Sequence, residues 1–232
     1  MHAPNPEPIV NLIIEKLPHE VRKRILNKCE KIDLIFGETL YELDHLIKYA
    51  YFPITGFISL VTMLRDHQPL EVALIGNEGI LGATLVLGVP SAPMQAIVQG
   101  SGTALRIPAE QLRQELQSHT ILTDTFNRYL YVLLTQLAQT AACTHFHEIE
   151  PRLARWLLML HDRAHSNILN LTQEFLANML GVRRSSITVA AGILQDRKLI
   201  HYTRGKITIL DRKGLEAASC ECYAAITHNS EY

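Results

Sequence analysis

The sequence predicts an α+β chain: an N-terminal antiparallel β roll, a long helix and a C-terminal winged helix-turn-helix. Three observations carry that prediction. Short apolar runs separated by glycines fill much of the first half, the texture of a rolled or closed sheet. A heptad-like apolar stripe follows them. Then Ala177, Gly181 and Ile187 place a small residue, a tight turn and a branched apolar residue at helix-turn-helix spacing. We divide the chain at 1–117 for the roll and its leading helices, 118–148 for the long helix and 149–232 for the winged unit.

Residues 9–31 read as helical, with Leu12, Ile13, Leu17, Val21, Ile25 and Leu26 at helical spacing and Pro18 breaking the run in two. From Leu34 to Pro108 the apolar runs are Tyr49–Phe52, Phe57–Met63, Leu70–Ile75, Gln95–Val98 and Thr103–Ile107. Residues 109–147 are helical again. Phe126, Leu130, Leu133, Leu137, Thr140 and Thr144 step alternately by four and three, the seam of a short coiled coil, so a homodimer is expected. The same stripe also suits a helix packed on its own domain. Glu150-Pro151 opens the next helix, whose buried face is Leu153, Trp156, Leu157 and Leu160.

Composition narrows the class. Apolar residues at 47% and charged residues at 19% describe a globular chain rather than a disordered one. Apolar stretches such as Trp156–Leu160 are far shorter than the ~20 residues of a membrane span. Met1–Pro8 has three prolines and no basic n-region, so no secretory signal is expected and a cytoplasmic location is. Charge is unevenly spread. Between Leu169 and Leu215 stand eight Lys/Arg and three acids, a balance of +5 against −6 for the remainder. A basic unit on an acidic body is the footprint of a DNA-binding module, although such a split also arises by chance.

In the C-terminal unit Thr172 can cap the first helix and Glu174 lies in its positive first turn. Leu176 and Leu180 face inward, and Val182 plugs the turn. Ile187, Ala190, Ile193 and Leu194 form the buried stripe of the second helix. Arg184, Ser185, Thr188 and Val189 are left on its outer face, at the positions that enter a major groove. Leu199–Tyr202 and Ile207–Leu210 flank Thr203-Arg204-Gly205-Lys206, a wing whose Arg204 and Lys206 would touch phosphates. The candidate DNA-binding residues are Thr172, Arg183, Arg184, Ser185, Ser186, Thr188, Arg204 and Lys206. An ordinary helical hairpin followed by a plain surface hairpin would have similar spacing.

The order rolled sheet, long helix, winged helix-turn-helix resembles the Crp/Fnr family of bacterial transcription regulators. LTQEFLANMLGVRRSSITVAAGILQDRKLI at Leu171–Ile200 carries the resemblance most strongly, with Tyr51-Phe52-Pro53 through Gly82 as the weaker match. The resemblance implies a cyclic-nucleotide-binding-type jelly roll, a homodimer, a palindromic duplex DNA operator and RNA polymerase as a partner. It also implies an effector pocket, which would fall on Gly79, Ile80, Leu81, Gly82, Ala83 and Met94. The family's cyclic-nucleotide members have a ribose-binding glutamate where this chain has Ala83, and a phosphate-holding arginine where Ala92–Ala96 has none. Without those charge-assisted bonds, no response to cyclic AMP is expected, and any small-molecule effector is of another kind. Arg184 matches a base-reading arginine of the family, whereas Ser185 and Val189 replace its usual glutamate and second arginine.

Other signals are weaker. His161 and His165 lie four apart, with His145 and His147 nearby, but eleven histidines make such pairs common. Cys29, Cys143, Cys220 and Cys222 are too scattered for a disulfide framework, and no CxxC pair suggests an iron–sulfur cluster. Cys220 and Cys222 with His228 could bind metal or sense oxidation, although a tail with spare thiols is more often inert. We therefore assign no metal, no cofactor and no catalytic residues, and expect no enzyme. The competing function is a small-molecule-binding or scaffold protein whose helical C-terminal domain packs on a protein partner.

Overall fold

The computed structural model describes residues 10–65, 68–164 and 166–229. The Met1–Pro8 segment and His165 considered above lie outside them. Two short helices, α1 (Leu12–Glu15) and α2 (His19–Lys28), open the fold on either side of Pro18. Asn11 caps α1 through its Oδ1, which accepts from the amides of Ile13 and Ile14 at 3.1 and 3.3 Å. Its Nδ2 donates to the carbonyls of Pro53 and Gly79, so the cap also ties α1 to the roll.

The roll consists of β1 (Glu30–Leu34), β2 (Thr39–Tyr41), β3 (Tyr49–Thr62), β4 (Leu70–Ile75), a 3₁₀ turn (Ala83–Leu87) and β5 (Gln95–Pro108). Strand order is β1-β5-β3-β4, with β2 also on β5, and all pairs are antiparallel. The separate runs read on each side of Gly56 and of Gly100-Ser101-Gly102 are single long strands. Their register shifts three times between Pro53 and Ile58, and such bulges bend a strand without ending it. The first strand starts at Glu30, inside the stretch read as helix, because pairing with Arg106–Gly102 of β5 overrides the local pattern.

After α3 (Ala109–Ser118) comes α4 (Thr120–Phe146), the long helix. Its heptad spacing stands, but the stripe read from sequence faces inward from Phe126 to Leu137, and Thr144 at its end is exposed. Phe126 is fully buried and Leu133 is 8% exposed, both in the core of the roll with Phe52, Ile58, Ile107 and Leu122. Gln136 pins the helix to β4, accepting from Leu74 N at 2.7 Å and donating to its carbonyl. The stripe left outside is one residue on: Asn127, Tyr131, Leu134, Ala138, Ala141 and His145 are all exposed. Tyr131 and Leu134 are 61% and 64% exposed, large apolar side chains with no cover among the described residues.

The winged unit contains α5 (Ile149–Ala164), β6 (Ile168–Asn170), α6 (Gln173–Leu180), α7 (Arg184–Asp196), β7 (Ile200–Thr203), β8 (Lys206–Ile209), α8 (Arg212–Ala218) and α9 (Cys222–Asn229). Its core gathers Trp156, Leu157, Leu160, Leu176, Ile187, Leu194 and Ile207, and also Phe57 and Leu74 from the outer face of the roll. Each such buried Leu, Ile or Phe contributes about 1.5–3 kcal/mol. A polar link crosses the same contact. Glu71 of β4 accepts from Ser59 Oγ and from Trp156 Nε1, each at 2.6 Å. Burial raises the Glu71 carboxyl to about 7.

Ile193, assigned above to the buried stripe of α7, is 40% exposed, and Ala191 takes the inward place. The group around Cys220 and Cys222 is formed by Cys143 and His147, not by the His228 that sequence suggested. His161 is engaged elsewhere, with Asn167 at its Nε2 and the Arg212 guanidinium at its Nδ1. No helix among the described residues is long and apolar enough to cross a membrane.

Candidate nucleic-acid interface

The interface is assembled from the starts of α6 and α7 and the tip of the β7–β8 hairpin. Thr172 caps α6, its Oγ1 accepting from the Phe175 amide at 3.1 Å. The helix ends at Gly181, whose φ of +64° is the left-handed conformation that lets the Val182 amide close back on the Ala177 carbonyl at 2.9 Å. A Cβ at Gly181 would also stand 2.8 Å from Leu70 Cδ1, so the turn between the helices abuts β4. Arg152 donates to the Leu180 carbonyl at 2.6 Å, satisfying another free end of α6.

Helix α7 buries Ile187, Ala190, Ala191 and Leu194 against α5 and α6. Arg184, Ser185, Thr188 and Val189 therefore face outward, as the spacing predicted. Thr188 Oγ1 lies 2.9 Å from Gln173 Oε1 and 3.2 Å from the Arg184 carbonyl. Gln173 is a member of this surface that sequence reasoning passed over. The available signal was its place directly after the cap Thr172, where the two helices cross.

The wing is a two-residue hairpin with Thr203 opposite Lys206. Arg204 and Gly205 have φ of +47° and +77°, the paired positive angles of a type I′ turn. The Leu171 amide donates to the Gly205 carbonyl at 2.7 Å, which holds the wing tip beside Thr172. Tyr202 donates from its hydroxyl to the Leu171 carbonyl at 3.1 Å. Burial raises the Tyr202 phenol and the charge of Arg184 opposes it, so Arg184 lies within electrostatic reach of the wing.

Thr172, Arg184, Ser185, Thr188, Arg204 and Lys206 thus fall on one surface. Arg183 and Ser186 lie at its margin, lining a cleft of about 570 Å³ shared with Thr62, Leu64 and Leu70 of the roll. Among the described residues Arg183, Arg184, Arg204 and Lys206 form no ion pair. Elsewhere in the unit Arg197 pairs with Glu150 and Arg212 with Asp162, both at 2.7 Å.

A second candidate site lies between the roll and α4. A cavity of about 490 Å³ is lined by Ile80, Leu81, Gly82, Ala83 and Met94, with Tyr41, Leu60, Thr84, Leu130 and Leu134 among the others. Gly79, expected there, is outside it, because Tyr129 fills the space that a side chain at Gly79 would need. Among the described residues no Lys, Arg, Asp or Glu lines the cavity, and Tyr41 spends its hydroxyl on the Tyr49 carbonyl. Its outer wall is the exposed face of α4.

Residues 36–119 match the family model described as a cyclic nucleotide-binding domain, and residues 151–218 match the Crp-like helix-turn-helix domain. No curated protein matches the chain significantly. Among solved structures the fold is similar to a crp/fnr-family transcriptional regulator from Eubacterium rectale. The TM-score is 0.70 and the identity 18%, covering 89% of this chain and 97% of that one. It is also similar to FixK2 from Bradyrhizobium japonicum, with TM-score 0.70 and 15% identity over 83% of this chain and 98% of that one. The global regulator CLP from Xanthomonas campestris, described as c-di-GMP responsive, gives 0.68 and 16% over 83% and 99%.

Proposed function

The chain belongs to the Crp/Fnr family of transcription regulators, and on that premise we propose that it binds a palindromic duplex operator, sequence-specifically and as a homodimer. The observation that carries this reading is the set of exposed cations around the starts of α6 and α7 and the wing, which form no ion pair among the described residues. A surface whose role was to pack on a protein would gain nothing by leaving Arg184, Arg204 and Lys206 without counter-charges. A polyanion supplies those counter-charges along its length.

The roles divide by position. Arg184, in the first turn of α7, reaches base edges and can bond guanine O6 and N7 together. Arg204 and Lys206 on the wing, Arg183 at the margin and the amides at the start of α6 meet phosphates and set the register. Ser185, Thr188 and Gln173 offer hydroxyl and amide groups beside them. The exposed stripe of α4 from Asn127 to His145 supplies the two-fold seam, so half-sites lie about 34 Å apart. Such a regulator works in the cytoplasm, beside RNA polymerase.

The cavity between the roll and α4 is the effector pocket in this reading. With no cation for a phosphate and no acid for a ribose, it suits an apolar molecule rather than a cyclic nucleotide. Selection of binding sites from a random duplex pool tests the proposal. Enrichment of a two-fold symmetric consensus is expected. Weak retention without enrichment would favour the scaffold reading instead.

A further inference from the structure

Two pairs of side chains able to ligate a metal, far apart in sequence, meet where the end of α4 touches the C-terminal tail. Cys143 lies in the last turn of α4, and His147 follows four residues later, one helical turn on and on the same face. Cys220 follows α8 and Cys222 opens α9. The Sγ atoms of Cys143 and Cys220 are 3.6 Å apart, and Cys222 Sγ is 3.5 Å from His147 Nδ1. All four ligand atoms lie within 4.8 Å of one another, and the three cysteines are buried.

Those distances have a geometric meaning. Tetrahedral zinc with Zn–S near 2.3 Å and Zn–N near 2.0–2.1 Å sets S···S edges of about 3.8 Å and S···N edges of about 3.6 Å. The observed 3.6 and 3.5 Å match the edges of such a tetrahedron. They are far longer than the ~2.05 Å of a disulfide. The group is also too compact for a cluster of several irons, whose bridging sulfides hold the terminal thiolates farther apart.

The surroundings are those of a metal centre. The other ring nitrogen of His147, Nε2, is 3.2 Å from Glu221 Oε1, the carboxylate–histidine pairing that orients an imidazole toward a metal. Gln139 Nε2 donates to Cys222 Sγ at 3.0 Å, as an outer hydrogen bond to a thiolate does. Arg152 and Arg155 are buried nearby, and the Nε of each lacks a hydrogen-bond partner. Three thiolates on a divalent ion leave one negative charge, which these guanidiniums can balance.

We propose that Cys143, His147, Cys220 and Cys222 form a structural Zn²⁺ site that fastens the C-terminal tail to the end of the long helix. All four positions are filled by protein, which is the closed set of a structural rather than a catalytic zinc. Loading releases the thiol protons, so affinity falls with falling pH. The site spans the helix that carries the exposed stripe and the tail that packs on α5, and so it sets how the winged unit is held relative to that stripe. This inference is independent of any DNA sequence or effector.

The test uses the full chain, expressed with zinc in the medium and purified under reductant without chelator. Elemental analysis should find one zinc per chain. Cys220→Ser and Cys222→Ser should lose it, and Cys29→Ser should keep it. Cobalt added to the reduced apo-protein should give the strong visible bands of a tetrahedral thiolate complex. Glu221→Gln, at an exposed position that leaves the fold alone, should weaken zinc binding about 10–100-fold. Absence of both zinc and a cobalt–thiolate spectrum in the reduced wild type overturns the proposal. So does zinc content unchanged in both serine variants, or a Cys143–Cys220 disulfide in metal-free protein freshly isolated from a reducing host.

Discussion

The division of cations into readers and anchors makes a quantitative prediction about salt. Three cations per chain face phosphates in the proposed complex: Arg183, Arg204 and Lys206, none of them paired within the described residues. A dimer brings twice that number, and at about −0.9 per phosphate neutralised the slope of log K against log salt is about −5.4. Lys206→Ala removes one cation from each half of the complex, and the slope should relax to about −3.6. Between 50 and 200 mM salt the wild type should then lose about 2,000-fold in affinity and the variant about 150-fold. Arg184→Ala should behave differently. Its loss of about 1–3 kcal/mol per half-site should appear mainly on the true operator, with base preference relaxed at one position and the slope nearly unchanged. Fluorescence anisotropy on the selected operator and on a scrambled duplex, across a salt series, measures both quantities. A Lys206→Ala slope equal to that of the wild type would refute the assignment of the wing to phosphate. An Arg184→Ala protein that keeps every base preference would refute the placement of α7 in the groove.

Three further outcomes are expected. Leu134→Glu puts a charge on the exposed stripe of α4 and should give folded monomers in sedimentation, with weak DNA binding, whereas Leu133→Glu should unfold the roll because Leu133 is buried in its core; an intact Leu134→Glu dimer would count against this seam. Glu71 is an acid whose folded pKa is raised from 4.5 to about 7, so its contribution is fully present below pH 4.5 and is lost as pH rises through 7. That loss is about 3 kcal/mol, and Glu71→Gln, which mimics the protonated acid, should flatten the pH dependence of urea unfolding over this window and raise stability at pH 8. The only tryptophan, Trp156, donates to Glu71 and reports the transition directly; an unchanged pH profile would show that Glu71 titrates normally. Calorimetry should detect no cyclic AMP binding at micromolar concentration, since no cation lines the cavity beside Ala83 and Met94.

Much of this molecule is legible locally. Helix caps, the Gly181 turn and the wing depend on residues within a few positions of one another, so Thr172, Gly181, Arg204 and Gly205 announce them in sequence. The outer face of α7 follows for the same reason, since Ile187, Ala190 and Leu194 recur at helical spacing and leave Arg184, Ser185, Thr188 and Val189 on the other side. Ile193 departs from its expected place because the stripe of α7 is wide enough to close on Ala191 instead, a choice made by what packs against it.

What sequence could not decide is which of two adjacent stripes on α4 faces home. Phe126, Leu130, Leu133 and Leu137 repeat with the same period as Asn127, Tyr131, Leu134 and Ala138, one residue on. Periodicity fixes spacing but not phase; the phase was settled by the roll, which takes the more apolar stripe and leaves Tyr131 and Leu134 outside. The thiol cluster is the stronger case. Cys143 and Cys220 are separated by 77 residues and share no local pattern. Only the packing of α9 across α4 and α5 brings Cys143 and His147 to Cys220 and Cys222, because ligand geometry is a property of distances in space and the chain records only distances along itself.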